Sequence, residues 1–219
     1  MLVTKNIAEL IGVIIGDGCI VYRPKLGKYC IEIVGDNKRD REYFSYLAYL
    51  VFSAIGKYPH IAYRSRGLRL RFYSKEFVSF LTLDLDMAHG KGKGKKVSIP
   101  QQIFNSHELL VSCIRGIADS DGTIFLSHKV GCKDPYITIE ITTTSKTLAQ
   151  QLLAALASFG FRVRWRRYHK EGALPIYRIS LNGESQACKW FDKIGFSNKR
   201  KSSKYLNRFY GKPPIIAGR

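Results

Sequence analysis

Residues 9–20 read Glu-Leu-Ile-Gly-Val-Ile-Ile-Gly-Asp-Gly-Cys-Ile, and residues 112–124 read Ser-Cys-Ile-Arg-Gly-Ile-Ala-Asp-Ser-Asp-Gly-Thr-Ile. Gly12 answers Gly116, Gly16 answers Ser120, and Asp17-Gly18 answers Asp121-Gly122, each 104 residues later. Small residues four apart share one face of a helix and let another backbone approach closely. Two such faces in one chain are most simply used against each other, about a pseudo-two-fold axis. That packing brings Asp17 and Asp121 together.

Working outward, each phrase leads into the same series of patterns. Alternating strands at Cys19–Tyr22 and Tyr29–Val34 match Thr123–Ser127 and Tyr136–Thr142. A helix carrying Tyr43, Phe44, Leu47, Leu50, Val51 and Ala54 stops at Gly56, as one carrying Leu148, Leu152, Ala155, Leu156 and Phe159 stops at Gly160. Strands at 60–64 and 68–73 match 162–168 and 176–181, and a third helix near 75–85 matches 185–194. The expected fold is α+β: two pseudo-symmetric αββαββα repeats whose antiparallel sheets form a saddle. The expected boundaries are 1–86 for the first repeat, 87–106 for a Gly/Lys linker and lead-in, and 107–219 for the second repeat with a basic tail. The linker reads either as a solvated connector or as a basic strap over phosphates, and the tail as peripheral.

The chain has 219 residues, 36 Lys+Arg against 17 Asp+Glu, and a formal net charge of +19 at pH 7. With 45% hydrophobic residues it can build a real core, which excludes disorder and a histone-like tail. Such a surplus of positive charge on a folded chain points to a polyanion, because neutralising phosphates releases counterions. Nucleic acid is the expected partner, and no membrane. Five cysteines, none two to four residues from another, exclude a disulfide framework and a zinc ribbon. The five histidines are scattered without ligand spacing. No signal-peptide core opens the chain, and the expected location is the cytoplasm, with access to DNA.

Asp17 and Asp121 each fall where a helix ends, where a carboxylate opposes the macrodipole, and side by side they repel. A divalent cation between or beside them resolves both conflicts, and hard oxygen ligands suit Mg²⁺. Such a site serves metal-assisted phosphodiester hydrolysis. The plainer reading, a turn at a helix end, fits either Asp-Gly alone better than it fits the pair in register.

The sheets are expected to present the DNA surface. Arg69, Arg71 and Tyr73 alternate with Leu68, Leu70 and Phe72, and Arg178 and Ser180 with Tyr177, Ile179 and Leu181. Arg162, Arg164 and Arg166 fall on one side of their strand, and Thr138, Glu140 and Thr142 point away from Ile137, Ile139 and Ile141. Together with Glu32 these residues suit a major groove, where Arg reads guanine and Glu accepts from cytosine. Tyr63, Arg64 and Arg66 are further candidates, and Lys25, Lys28, Lys129 and Lys133 in the hairpin turns are either phosphate contacts or simply solvated. A polar sheet face that only confers solubility is the competing explanation.

Over nearly its whole length the sequence resembles the LAGLIDADG homing endonucleases of the single-chain, two-repeat type. The resemblance is carried by residues 10–18 and 114–122, by Glu32 to Phe44, and by Ile99-Pro100 ahead of the second motif. It implies an intron- or intein-encoded enzyme that makes a double-strand break at a long DNA site with Mg²⁺. Mn²⁺ is expected to substitute, and Ca²⁺ to bind without supporting cleavage. It assigns Asp17 and Asp121 as catalytic metal ligands, with the carbonyls of Gly16 and Ser120 as further ligands, and leaves Asp119, whose counterpart is Ile15, as a helix-end residue. Two departures from the family pattern stand out. The end of the second strand carries Gly35, next to Asp36, in one repeat and Thr142 or Thr143 in the other. Arg71 and Arg178 stand where a fourth-strand lysine is usual. The chain neither begins with Cys or Ser nor ends in His-Asn, so a free-standing, monomeric, intron-encoded protein is expected. The alternatives are an RNA maturase acting on intron RNA and a DNA-binding regulator on the same fold.

Overall fold

A computed structural model describes residues 1–64, 67–128 and 135–209, with side chains except those of residues 64 and 205–209. Arg66, Lys129, Lys133, the side chain of Arg64 and the end of the basic tail lie outside the described residues.

The two motif phrases form helices α1 (Lys5–Gly16) and α5 (His107–Asp121). The Thr4 hydroxyl caps α1 by accepting from the Ile7 N–H. Nine consecutive residues, Ile7 to Ile15, are buried, because α1 packs against α5 on one side and its own repeat on the other. A helix apolar on both faces belongs at the centre of the molecule.

Each helix runs straight into a four-stranded antiparallel sheet. The first contains β1 (Gly18–Arg23), β2 (Lys28–Gly35), β3 (His60–Arg64) and β4 (Gly67–Tyr73), in the order β1-β2-β4-β3. The second contains β5 (Gly122–Ser127), β6 (Tyr136–Thr143), β7 (Val163–Tyr168) and β8 (Ile176–Asn182), in the order β5-β6-β8-β7. The period-two pattern decides the faces: Ile31, Ile33, Leu68, Leu70 and Phe72 are buried in the first sheet, and Ile137, Ile139, Ile141, Ile179 and Leu181 in the second. Against these faces pack α2 (Arg41–Ile55) with α3 (Lys75–Ser79), and α6 (Lys146–Ser158) with α7 (Glu184–Lys193). Gly56 and Gly160 take φ of 68° and 80°, the left-handed conformation that ends α2 and terminates the turn after α6. The αββαββα unit therefore occurs twice, as expected.

Three features differ from the sequence reading. The third helix of the first repeat widens after Ser79 into a π-turn over Phe80–Asp84. The Gly/Lys linker is not simply a solvated connector: Met87 is buried at its start and Val97 and Ile99 just beyond it, Ser145 Oγ donates to the Val97 carbonyl, and Gln151 clasps both backbone groups of Ile99. After it, α4 (Gln101–Phe104) delivers the chain to α5. Finally, the beginning of the tail is structural, since α8 (Lys199–Phe209) packs against β5 and Lys201 is buried. No described helix is long and apolar enough to cross a membrane.

Candidate metal centre and nucleic-acid interface

The helix pair is built by its glycines. A Cβ on Gly12 would stand 2.9 Å from the backbone nitrogen of Ile117 and collide with the Cys113 carbonyl. A Cβ on Gly116 would meet Val13 and Glu9 in the same way. The contacts are reciprocal, residue for residue, which is the signature of a two-fold relation. One turn further, Gly16 faces Ser120 across the axis, and a Cβ there would lie 3.2 Å from the Asp121 carboxyl carbon. The motif acids thus meet at the common end of the two helices.

Both acids are open to solvent on their outer side and crowded by protein on their inner side. Partial desolvation raises the Asp17 pKa, with a smaller push from Asp40, and it raises Asp121 to about 6, with Asp17 adding to the effect. Two cations answer this negative charge. Lys93, from the Gly/Lys linker, donates from Nζ to the carbonyls of Ile14 (3.0 Å), Ile15 (3.4 Å), Gly16 (3.5 Å) and Gly18. Lys201, from α8, donates to Ala118 (2.8 Å), Asp119 (2.7 Å), Ser120 (3.3 Å) and Gly122 (2.6 Å). Each ammonium caps the negative end of a motif helix. Of the two, Lys201 acts more strongly on Asp17 and Lys93 more strongly on Asp121. Each lysine therefore braces one helix and the acid of the other.

The donor set suits a hard divalent cation: two carboxylates that repel each other, partly dehydrated, beside the backbone carbonyls of Gly16 and Ser120, each of which has a second lone pair beyond its long contact with Lys93 or Lys201. Among the described residues, no three His, Cys, Asp or Glu side chains gather to hold a metal by themselves. A cation between Asp17 and Asp121 would need oxygens from another molecule, which phosphates and water provide.

One flank of the helix pair carries a buried polar network that the motif pattern did not suggest. Glu9, 3% exposed, accepts from the Tyr46 hydroxyl (2.8 Å), the Ser197 hydroxyl (2.7 Å) and Arg115 Nη1 (3.2 Å). Asp119 accepts from the backbone N–H groups of Ser197 (2.9 Å) and Asn198 (3.1 Å). Burial pushes the Asp119 pKa up, while those N–H groups and Lys201 oppose the shift. Asp119 is therefore more than a helix-end residue: it anchors the segment that carries Lys201. Arg200 and Lys199 extend the same anchorage by pairing with Asp40 and Glu42 of the first repeat.

The polar sheet faces hold most of the expected interface residues. On the first lie Glu32, Arg69, Arg71 and Tyr73, with His60 beside Arg71. On the second, Arg164, Arg166, Arg178, Ser180 and Glu140 line one concavity with Phe125, Tyr168 and Asn182, and Thr142 pairs with Arg178 in the register. Thr138 faces the same way but is buried, bonded to Ser127 and Asn182. Arg162 precedes β7, its N–H tied to Gln186. Tyr63 falls on the opposite face, paired with Leu68 and exposed, with the Arg41 guanidinium 5.5 Å from its ring centroid.

The register also corrects the pairing of the arginines. Glu32 stands opposite Cys19 and Arg71, and Glu140 stands opposite Thr123 and Ser180. The counterpart of Arg178 is accordingly Arg69, and that of Arg71 is Ser180. At the end of the second strand Gly35 corresponds to Thr143, which is buried and accepts from the Ser145 N–H. Asp36 is occupied by the turn, accepting from the N–H groups of Lys38 and Arg39, which hold its pKa down. The lysines at the acids come from stretches the sequence reading set aside as linker and tail, where no periodicity marked them.

Comparison with known proteins agrees with this geometry. Residues 108–195 match the family described as LAGLIDADG-like domain. The Replication factor C small subunit of Methanocaldococcus jannaschii is 31% identical over 203 residues, 92% of this chain, and the chain spans about 10% of that protein's length. The fold is similar to that of the homing endonuclease I-DmoI in complex with DNA and Mn, with a TM-score of 0.61 and 16% identity over 88% of this chain and 97% of that one. It is also similar to the homing endonuclease I-WcaI bound to its DNA recognition sequence, with a TM-score of 0.59 and 16% identity over 92% of this chain and 87% of that one. Residues 108–195 thus match a LAGLIDADG-like domain, and the two sheets flanking α1 and α5 give the whole chain a fold similar to that of the homing endonucleases I-DmoI and I-WcaI.

Proposed function

We propose that the protein is a site-specific endonuclease that binds double-stranded DNA across its two polar sheet faces and hydrolyses both strands at the Asp17–Asp121 notch. The observation that carries this reading is the meeting of two accessible motif acids at the end of the helix pair, between two arginine-bearing sheet faces. Asp17 and Asp121, with the carbonyls of Gly16 and Ser120, would hold Mg²⁺ or Mn²⁺, and Ca²⁺ would be held without cleavage. The bound ion would polarise a phosphate and activate water for attack. Lys93 and Lys201 keep positive charge beside the acids, where negative charge grows on the phosphate. A monomer suffices, because one chain supplies both acids and both sheets. The Mn and DNA named with I-DmoI, and the DNA named with I-WcaI, support the choice of ligand classes. The chain is proposed to be intron-encoded, and the alternative reading of the same surfaces is an RNA maturase that assists intron splicing.

The test is cleavage of a randomised duplex library with Mg²⁺ by wild type, Asp17→Asn and Asp121→Asn, with the cut ends sequenced. Recurrent double-strand ends from wild type alone are expected. Both variants should bind the selected site in Ca²⁺ within a few-fold of wild type. A variant that still cuts both strands would remove its aspartate from the mechanism, and a wild type that binds DNA without producing ends would refute the nuclease.

A further inference from the structure

Glu32 occupies the middle of the first sheet's polar face, in β2, between Cys19 of β1 and Arg71 of β4. In a chain of net charge +19 facing a polyanion, a carboxylate there opposes the general attraction to phosphate. Its surroundings supply the reason. Oε2 accepts from both Nε (3.0 Å) and Nη2 of Arg71, and Oε1 stands 3.4 Å from Nε of Arg69. Oε2 accepts two hydrogen bonds and Oε1 makes an ion-pair contact, so the carboxylate is turned toward the guanidiniums of the neighbouring strand.

A guanidinium carries five N–H donors in one plane. Arg71 spends two of them on Glu32 and also interacts with the Tyr73 side chain, and Glu32 leaves unengaged the edge formed by Nη1 and the far side of Nη2. That edge is the fork that matches O6 and N7 of guanine. A long side chain on an open sheet face would otherwise lose rotamer freedom on binding, and the carboxylate removes that cost beforehand. We propose that Glu32 is a positioning residue: its carboxylate fixes Arg69 and Arg71 on the sheet so that Arg71 presents its remaining edge to a base pair, and Glu32 itself touches no base. The inference rests on the DNA-binding reading above.

The second sheet provides an internal contrast. Glu140 holds the register-equivalent place, but it accepts from the Ser180 hydroxyl at 3.1 Å and stands 3.8 Å from Arg178. Arg178 lies over the Tyr168 ring, 4.7 Å from its centroid. An arginine held by an aromatic face keeps that support when the carboxylate is neutralised. The dependence on glutamate is therefore strong in the first sheet and weak in the second.

The experiment selects a preferred site for wild type from a randomised duplex library in Ca²⁺, then measures binding to that site and to each of its single-base-pair variants. Arg71→Ala, Arg71→Lys, Glu32→Gln, Glu140→Gln and the Glu32→Gln/Arg71→Ala pair are compared. Expected is a loss of about tenfold in discrimination at the same one or two base pairs for Arg71→Ala, Arg71→Lys and Glu32→Gln, with little further loss in the double variant. Glu32→Gln should bind unrelated duplex as tightly as wild type or a few-fold more tightly, and Glu140→Gln should change discrimination less than twofold. Loss of preference at a different base pair would mean that Glu32 reads a base directly, and unchanged discrimination would mean that it only tempers charge. Either result overturns the positioning role while leaving DNA recognition standing. A wild type that selects no site would overturn both. Should Glu32→Gln fail to fold, Arg71→Lys retaining full discrimination would by itself defeat the proposal, because a lysine cannot present the fork.

Discussion

Lys93 and Lys201 reach equivalent positions in the two repeats from unrelated parts of the chain. The acceptors of Lys93 are the carbonyls of Ile14, Ile15, Gly16 and Gly18, and those of Lys201 are the carbonyls of Ala118, Asp119, Ser120 and Gly122, the same places 104 residues on. One lysine comes from the connector between repeats and the other from the helix that follows the second repeat. The symmetry of the site is completed by segments outside the repeated unit.

Their burial differs, and so should the cost of removing them. Lys201 is 4% exposed with four carbonyls around its ammonium, whereas Lys93 is half-buried. Lys201→Met keeps the length of the side chain, leaves buried carbonyls without their shared donor and removes the positive charge beside Asp119, so a loss of about 3 kcal/mol is expected. Lys93→Met should cost about 1 kcal/mol, since water can reach the freed carbonyls. Urea denaturation in the absence of divalent ions measures both, and equal losses would show that the two caps are energetically alike.

Asp17 and Asp121 should be a burden on the folded chain without metal. Each carboxylate stands at a helix C-terminus, and their mutual repulsion together with desolvation favours the neutral form. Asp121→Asn, of nearly the same shape, is expected to stabilise the metal-free protein by about 0.5–1 kcal/mol while abolishing cleavage. Thermal denaturation in EDTA reads the stability, and a destabilised variant would place the carboxylate in a structural role.

The helix pair tolerates no added carbon at its crossing. A Cβ at Gly12 or Gly116 would run into helix backbone of the other repeat, which cannot turn aside as a side chain can. Gly12→Ala should destabilise by about 3 kcal/mol or more and separate Asp17 from Asp121. Gly94, whose added Cβ would meet only the Thr144 hydroxyl at 3.4 Å, serves as the control, with a change below about 0.5 kcal/mol expected for Gly94→Ala. Chemical denaturation of the two variants, beside cleavage, separates the effects.

The fold was legible because its strongest signals are periodic. Alternation in Leu68–Tyr73 and Ile176–Asn182 placed the arginines on the correct face, and the repeated Gly/Asp phrase placed the acids on one axis. Register was less legible: the alternation of β4 and β8 set Arg71 beside Arg178, but Arg69 stands opposite Val34 and Arg178 opposite the matching Thr142, so Arg69 is the equivalent of Arg178, and periodicity alone does not fix which rung a residue occupies. Thr138 was placed on the correct face but buried there by Ser127 and Asn182, partners on two other strands. Lys93 and Lys201 gave no local sign at all, since a cation that caps a helix is chosen by tertiary contact rather than by spacing. The polar network around Glu9 and Asp119 was hidden for a related reason: in the other repeat the matching residues are Cys113 and Ile15, so the pattern of repeats reads them as exceptions.

That asymmetry supports a final prediction. Asp119 is 3% exposed and receives two backbone N–H groups at the start of α8, the helix that carries Lys201 to the notch. Asp119→Ile would restore the residue found at the matching position of the first repeat, Ile15, and satisfy the apolar pattern of α5. It would also leave the N–H groups of Ser197 and Asn198 without their acceptors and Lys201 without the carboxylate that most favours its charge, at a cost of about 2–4 kcal/mol. Ser197→Ala removes only the hydroxyl that donates to Glu9 and should cost about 1 kcal/mol. Hydrogen exchange should then show the amides of residues 197–204 opening in Asp119→Ile while those of α2 and α6 stay protected, because the lost contacts belong to one docked segment and not to either sheet's core. Cleavage should fall with that opening, since Lys201 leaves with α8. If protection at 197–204 is retained, the segment is held by Arg200, Lys199 and Glu9 without Asp119, and the buried carboxylate has no anchoring role.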